Sequence, residues 1–523
     1  MATDTAITLP KPADTTGSSL GARALGHPFT APLAVAMLGF AISVTGIGIP
    51  SIWYDEAATI ISSTRSWSQL WVQVGDVDAV HALYYAGIHL VFDVFGYSPL
   101  TLRMPSALAV GLAAALTVVL ARQLTGTRSA IIAGVVFCLL PRTTWMGTEG
   151  RSYALTAALA ALLTIVLVHA SRSTRKRWWV LYAALVVLSC LVFIYLALIV
   201  IAHAATMVWR LSSARLTLPR DARIPMGPAR MSQRWLVSSA SAGLALLPFG
   251  FAVIGQTKQL FWIDPLGPQT LRQVLRNQWF FESGWFAAVG WVLIGVGTIL
   301  LLRRSHTRWT GLSPAATLLP ALAMPTIVLL VATAVYTPLY TPRYLSMCLP
   351  FVAVVIAAAI AVLPTRPIRV LVILALVSVA IPQIIAQRQP DSKENTSWQE
   401  VAELIARERA ADGPNSSTAI IYGWVRYHPS ATSRVIAYSY PDAFRGTIDV
   451  TLGTPAFETG ELWESRRPLA DSLDRLEGAD VVYLITSTKR DLRQQTAATL
   501  ASDGWRPTDE WRIADVNILQ YEK

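Results

Sequence analysis

Asp55 and Glu56 stand side by side in Trp53-Tyr54-Asp55-Glu56-Ala57, just after an uncharged apolar run. That run, 31–49, is about 19 residues, enough to cross a bilayer, and Pro50 ends it. Carboxylates at the edge of a membrane are costly unless they are paired or used. Trp53 and Tyr54 suit the headgroup boundary, where aromatic rings with a polar tip collect. A carboxylate fixed there can take a proton from a hydroxyl, which is general base work. The competing reading is a helix-end charge pair resting in the interface.

Three further elements carry polar and aromatic groups that suit the same chemistry: His81-Ala82-Leu83-Tyr84-Tyr85, Glu149-Gly150-Arg151-Ser152-Tyr153 and Thr341-Pro342-Arg343-Tyr344-Leu345. A guanidinium fork holds two phosphate oxygens at once, so Arg151 and Arg343 are candidates for an anionic leaving group. Their alternative use is to snorkel from the membrane edge. His81 suits sugar or phosphate, or a hydrogen-bonded structural role. Tyr84 and Tyr85 suit stacking on a sugar, or simply the interface. Asp76-Val77-Asp78 has the Asp-x-Asp form of metal-dependent nucleotide-sugar chemistry, but its expected position is outside, and it reads as a solvated loop.

The elements that must position these groups are membrane helices. Of 523 residues, 53% are hydrophobic and 14% charged, where a soluble domain carries roughly 25% charged residues. About eleven spans are expected, at 31–49, 101–121, 129–141, 153–170, 178–192, 194–210, 236–254, 285–302, 315–335, 345–363 and 370–386. The pair 178–192 and 194–210 also reads as one long helix. Arginine decides between the two counts. With an inside N-terminus and eleven spans, the Arg-bearing loops 171–177, 210–235, 303–308 and 364–369 all fall inside. Ten spans would split them. The net charge of +11 therefore reflects topology, and no nucleic acid is expected. Residues 1–30, rich in Thr, Pro and Gly, read as a disordered cytoplasmic N-terminus. Cys138, Cys190 and Cys348 lie in apolar stretches and suggest neither a disulfide framework nor a Cys-based metal site.

The first outer loop, about 50–100, holds Trp67, Leu70, Trp71 and Val74 at helical spacing, as in an amphipathic helix lying in the interface. From about 387 the chain turns polar. Ser397–Ala411 reads as a helix with a Ser cap and Glu400 three residues on. Thr418–Tyr422 and Asp480–Thr486 read as buried strands, Lys489–Ser502 as a helix, and Trp511–Glu522 as a strand or hairpin. This C-terminal α/β domain, 387–523, is expected on the outer face. The absence of an internal repeat, and spans nearly free of charge, disfavour a transporter or flippase of lipid-linked sugar. That class, and a non-catalytic glycan-binding scaffold, are the rivals.

Taken in order, these motifs resemble the polytopic GT-C glycosyltransferases that use polyprenyl-phosphate sugars, in the protein O-mannosyltransferase and lipid A aminoarabinose transferase branch. The Asp-Glu pair of that branch matches Asp55 and Glu56. Its His-Pro-Pro-Leu-Tyr-Tyr element is matched by His81, Leu83, Tyr84 and Tyr85, without the two prolines. Its Arg-x-Tyr-x-Leu element matches Arg151, Tyr153 and Leu155, and its late Arg-Tyr-Leu matches Arg343, Tyr344 and Leu345. The resemblance covers 31–386. It implies a multi-pass plasma-membrane enzyme with Asp55 as base and Glu56 as its neighbour or alternate. His81, Tyr84, Tyr85, Glu149, Arg151, Tyr153, Arg343 and Tyr344 would then surround the donor phosphate and sugar. The implied reaction is inverting transfer of a sugar, mannose or alternatively arabinose, to an envelope glycan or lipoglycan. The implied partners are the polyprenyl-phosphate sugar, that acceptor and membrane lipids. No cofactor is assigned, and a divalent metal is left open.

Overall fold

Every apolar run expected to span a membrane forms helix in the computed structural model, which describes residues 29–217, 226–305, 311–413, 416–426 and 430–523. The expected N-terminal disorder falls on residues 1–28, outside the described residues, as do parts of the loops 210–235 and 303–308. In chain order the helices are α1 (Thr30–Val44), α2 (Tyr54–Ser63), α3 (Trp67–Asp76), α4 (Ala82–Phe95), α5 (Pro99–Leu124), α6 (Thr127–Leu139) and α7 (Pro141–Met146). They continue with α8 (Tyr153–Ser171), α9 (Arg177–Val192), α10 (Ala197–Thr217), α11 (Pro228–Ala245) and α12 (Leu247–Gly255). Next come α13 (Gly284–Ser305), α14 (Pro314–Val335), α15 (Leu349–Ala361) and α16 (Arg366–Ala386).

Seven of these are long and apolar enough to cross a membrane, and α11 with α12 makes an eighth if their 55° bend lies within one span. The expected spans at α1, α6 and α9 are shorter apolar helices. Pro141 begins a new short helix, so α6 stops at Leu139 after 13 residues. Phe193, extended at φ −163° and ψ 115°, separates α9 from α10. The expected pair is therefore two helices, not one.

Between α1 and α5 the chain folds back as α2, α3 and α4. The amphipathic helix expected around Trp67–Val74 is α3. Ser66 caps it, and Gln69 returns the bond to the Ser66 amide. Leu70 is buried while Trp71 is exposed, as the spacing requires.

Beyond α16 lie α17 (Trp398–Ala411), β1 (Thr418–Tyr422), β2 (Ile448–Asp449), β3 (Val481–Ser487), α18 (Arg493–Ala501), β4 (Arg506–Ile513) and β5 (Val516–Glu522). The strands form one sheet in the order β2-β1-β3-β5-β4. β1 runs parallel to β2 and β3, while β5 is antiparallel to β3 and β4. The apolar strands β1 and β3, parallel to each other at the centre of the sheet, are buried throughout. β4 lies at the edge and carries Arg506, Asp509, Glu510 and Arg512, charges that guard an open edge. The Ser cap expected on α17 does not form. Ser397, at φ −122° and ψ 40°, makes no side-chain bond to the helix.

One hydrophobic core runs through both regions. Ile60 of α2 and Tyr85 and Ile88 of α4 share it with Trp398 of α17, Ile420 of β1, Tyr483 of β3 and Ile518 of β5. Hydrogen bonds fix the junction. Trp463 Nε1 donates to Tyr54 Oη at 2.6 Å, the Ile52 amide to Tyr440 Oη at 2.9 Å, and Tyr97 Oη to the Ser439 carbonyl at 2.7 Å. The sheet domain thus packs on the segment that carries Asp55 and Glu56.

Candidate active site

Asp55 and Glu56 occupy the first turn of α2, and consecutive residues on a helix point about 100° apart. They therefore meet different surroundings. Asp55 faces a cavity of about 650 Å³. Glu56 faces the protein interior and is fully buried.

Glu56 is tied on both oxygens. Its Oε1 accepts from Arg103 Nε at 2.7 Å, the Gly150 amide at 2.8 Å and Lys393 Nζ at 3.0 Å, and its Oε2 from Arg103 Nη2 at 2.6 Å. Glu149 lies behind it. Its Oε2 accepts from Trp53 Nε1 at 2.9 Å, and its Oε1 is 2.8 Å from Lys393 Nζ, close in distance but outside hydrogen-bond angles. Two carboxylates and two cations thus form a closed, buried cluster. Burial would raise the Glu56 pKa, but Arg103 and Lys393 outweigh it and hold the carboxylate down to about 2. For Glu149 burial wins over Lys393, helped by the Glu56 charge, and its pKa rises to about 7. Gly150 lets this loop lie against α5, since a Cβ there would stand 2.6 Å from Leu102 Cγ.

Asp55 is held loosely. Its Oδ2 lies 3.2 Å from Arg343 Nη2, an ion pair without hydrogen-bond geometry. The Arg343 guanidinium lies 4.7 Å from the Trp262 ring centre and 5.6 Å from that of Trp53, and its Nε has no partner. Arg151 Nη1 donates to Tyr85 Oη at 3.0 Å, which donates to Asp78 Oδ2 at 2.8 Å. Asp78, expected in a solvated loop, is therefore half-buried on the cavity wall. His81 stacks on Phe193 at 5.7 Å and leaves Nδ1 unbonded. Tyr344 packs against Tyr195 at 4.8 Å, and Tyr153 stacks on Trp145 at 5.6 Å.

Of the residues singled out in the sequence, Asp55, His81, Arg151, Arg343 and Tyr344 line this cavity. Tyr85 reaches it through Arg151. Glu56 and Glu149 stand behind it in the ion cluster. Tyr84 and Tyr153 are buried and do not line it. The sheet domain closes the far side with Trp424, Trp463 and Asp515 among others.

A second cavity of about 440 Å³ adjoins the first and shares Trp53, Trp262, Arg343 and Glu394 with it. Arg142 lines it, its guanidinium 4.7 Å from the ring centres of both Trp145 and Phe281. Among the described residues no carboxylate pairs with Arg142. It bonds instead to the Gln278 carbonyl and to the Asn277 carbonyl and side chain.

Arg103, Arg142, Lys393 and Glu394 went unnoticed in the sequence. A signal existed for two of them. Arg103 and Arg142 sit at the ends of runs otherwise free of charge, where an ionisable residue marks a site. Chemically, the cavity offers in Asp55 a carboxylate with an open oxygen beside Arg343, with guanidinium groups that have donors to spare and aromatic faces that suit sugar rings.

No family model matches the chain, and no curated protein does. Solved structures do. ArnT from Cupriavidus metallidurans bound to undecaprenyl phosphate is similar at 13% identity over 94% of this chain and 98% of that chain, with a TM-score of 0.54. ArnT in the apo state gives 14% identity, 94% and 97% coverage and a TM-score of 0.55. The arabinofuranosyltransferase AftD from Mycobacteria gives 16% identity over 95% of this chain and 42% of that chain, with a TM-score of 0.48. The chain carries the GT-C fold, with the architecture of ArnT.

Proposed function

We propose that this chain is an inverting glycosyltransferase of the plasma membrane. It transfers a sugar from a polyprenyl-phosphate donor to an envelope glycan or lipoglycan on the outer face, where residues 387–523 also lie. The observation that carries this reading is the Asp55–Arg343 pair, a loosely held carboxylate 3.2 Å from a cation with unused donors on the wall of one cavity. The shared fold with ArnT, solved with undecaprenyl phosphate bound, supports a lipid-phosphate donor.

In the proposed reaction Asp55 takes the proton of the acceptor hydroxyl as that oxygen attacks the anomeric carbon. The bond from anomeric carbon to phosphate oxygen breaks on the opposite face, and its electron pair stays with the phosphate. The phosphodiester becomes a monoester and gains one negative charge, which Arg343 and Arg151 stabilise. Glu56, locked by Arg103 and Lys393, orients α2 and so aims Asp55. We propose mannose as the sugar, on the motif resemblance alone.

Purified protein given labelled polyprenyl-phosphate mannose and an envelope extract should transfer label with inversion. Asp55→Asn keeps the size and cannot act as base, so turnover should fall by about a hundredfold or more, with binding of polyprenyl phosphate retained. Normal turnover in Asp55→Asn would end the base assignment. Transfer from the arabinose donor alone would keep the reaction and change the sugar.

A further inference from the structure

Far from Asp55, the ends of four membrane helices enclose a cavity of about 210 Å³. It sits at the C-terminal end of α5, whose N-terminal turns hold Arg103. A helix of that length separates the two by about 30–40 Å, so this cavity is remote from the active site. Its walls come from the α5–α6 turn, the end of α13 and the end of α15. No carboxylate lines it among the described residues.

Three features converge there. α6 starts at the cavity after Gly126, at φ +97°, and no side chain caps it. The amides of Thr127, Arg128 and Ser129 thus have no partner within the helix, and they present the positive end of its dipole. Ser129, 3% exposed, lines the cavity, and its Oγ makes no hydrogen bond. A buried hydroxyl left unbonded costs free energy that a ligand would return. Arg128 and Arg304 line the same space, and guanidinium groups hold phosphate oxygens in pairs.

We propose that this cavity is a phosphate-binding site, filled by the phosphate of an anionic lipid headgroup. Backbone amides, a buried hydroxyl and two guanidiniums form an oxyanion cradle. Ala361 and Val362 supply an apolar wall, and basic pockets between membrane helices are where lipid phosphates settle. The site lies at the helix ends whose Arg-bearing loops are expected inside, and it owes nothing to the glycosyltransferase reading.

The test is native mass spectrometry of the full-length protein released from detergent, with phosphatidylglycerol, diacylglycerol and inorganic phosphate as probes. Phosphatidylglycerol should stay bound and diacylglycerol should not. Arg128→Gln with Arg304→Gln should cut phosphatidylglycerol affinity by about tenfold or more, the loss expected for charged hydrogen bonds. Ser129→Ala, which breaks no internal bond, should weaken it with thermal stability unchanged. Arg366→Gln, a basic residue of the same face outside the cavity, should leave it unchanged. Displacement by inorganic phosphate would widen the ligand to free phosphate, and resistance to it would confine the site to lipid. Wild-type affinity in the double variant, or an equal loss in Arg366→Gln, would overturn the proposal.

Discussion

Lys393 Nζ lies 3.0 Å from Glu56 Oε1 across 337 residues of sequence. It is also 2.8 Å from Glu149 Oε1 and donates to the Thr148 carbonyl at 2.6 Å. A single ammonium thus joins the segment after α16 to the neighbour of Asp55 and to the loop that bears Arg151.

Lys393→Met should be severe for that reason. It leaves two buried carboxylates facing Arg103 alone, and breaking a buried pair costs about 3–5 kcal/mol. Thermal unfolding in detergent should shift down strongly, and sugar transfer should fall with it. Lys393→Met with Glu149→Gln restores charge balance and should recover most of the loss. Two losses that simply add would show that the cluster does not act as a unit.

Arg343→Lys keeps the charge but loses the planar fork and its seat between Trp53 and Trp262. Binding of polyprenyl phosphate should weaken by about tenfold, while Arg366→Lys should leave it unchanged. Equal behaviour of the two would make Arg343 an anchor of the aromatic wall.

The two buried glutamates pull stability in opposite pH directions. The Glu149 pKa rises from 4.5 to about 7 on folding, so the folded state holds its proton longer and stability declines as pH climbs through that window. The Glu56 pKa falls from 4.5 to about 2, so its contribution is lost as pH drops below 4.5. Melting temperatures of Glu149→Gln across pH 4.5 to 7 should be flatter than those of the wild type. Parallel curves would mean that Glu149 does not titrate there.

Topology can be read with cysteine labels, because Cys138, Cys190 and Cys348 are all buried. Thr174→Cys, before α9, and Asp442→Cys, in the sheet domain, are exposed positions. An impermeant reagent on intact cells should label only Asp442→Cys. Equal labelling would place the sheet domain and the Arg-bearing loops on one face, and the proposed outer site would go with them.

Helices and strands were legible because each follows from neighbouring residues. The apolar runs expected as spans became helices, α1, α5, α6 and α8 to α16, the Trp67–Val74 spacing became α3, and the apolar runs at 418 and 480 became β1 and β3, while α2, α4 and α7 were not expected. The ion cluster was not legible. Glu56 meets Arg103 and Lys393, partners 47 and 337 residues away, and no spacing rule reaches that far. Ser397 shows the opposite failure. Its sequence fits a cap, but the backbone arriving from Asn395 at φ +59° enters the helix without a bond from the hydroxyl to the helix amides.

The bond between Lys393 and Glu56 also sets an order in time. A ribosome adds roughly 5–20 residues per second, so Lys393 emerges on the order of 20–60 s after Glu56 is made. Glu56 can meet Arg103 early, but Glu149 gains its contact with Lys393 only after that interval. The core shared by α2 and β5 closes later still. The ion cluster behind Asp55 is therefore completed only once the segment beyond α16 has been made, long after α2 itself.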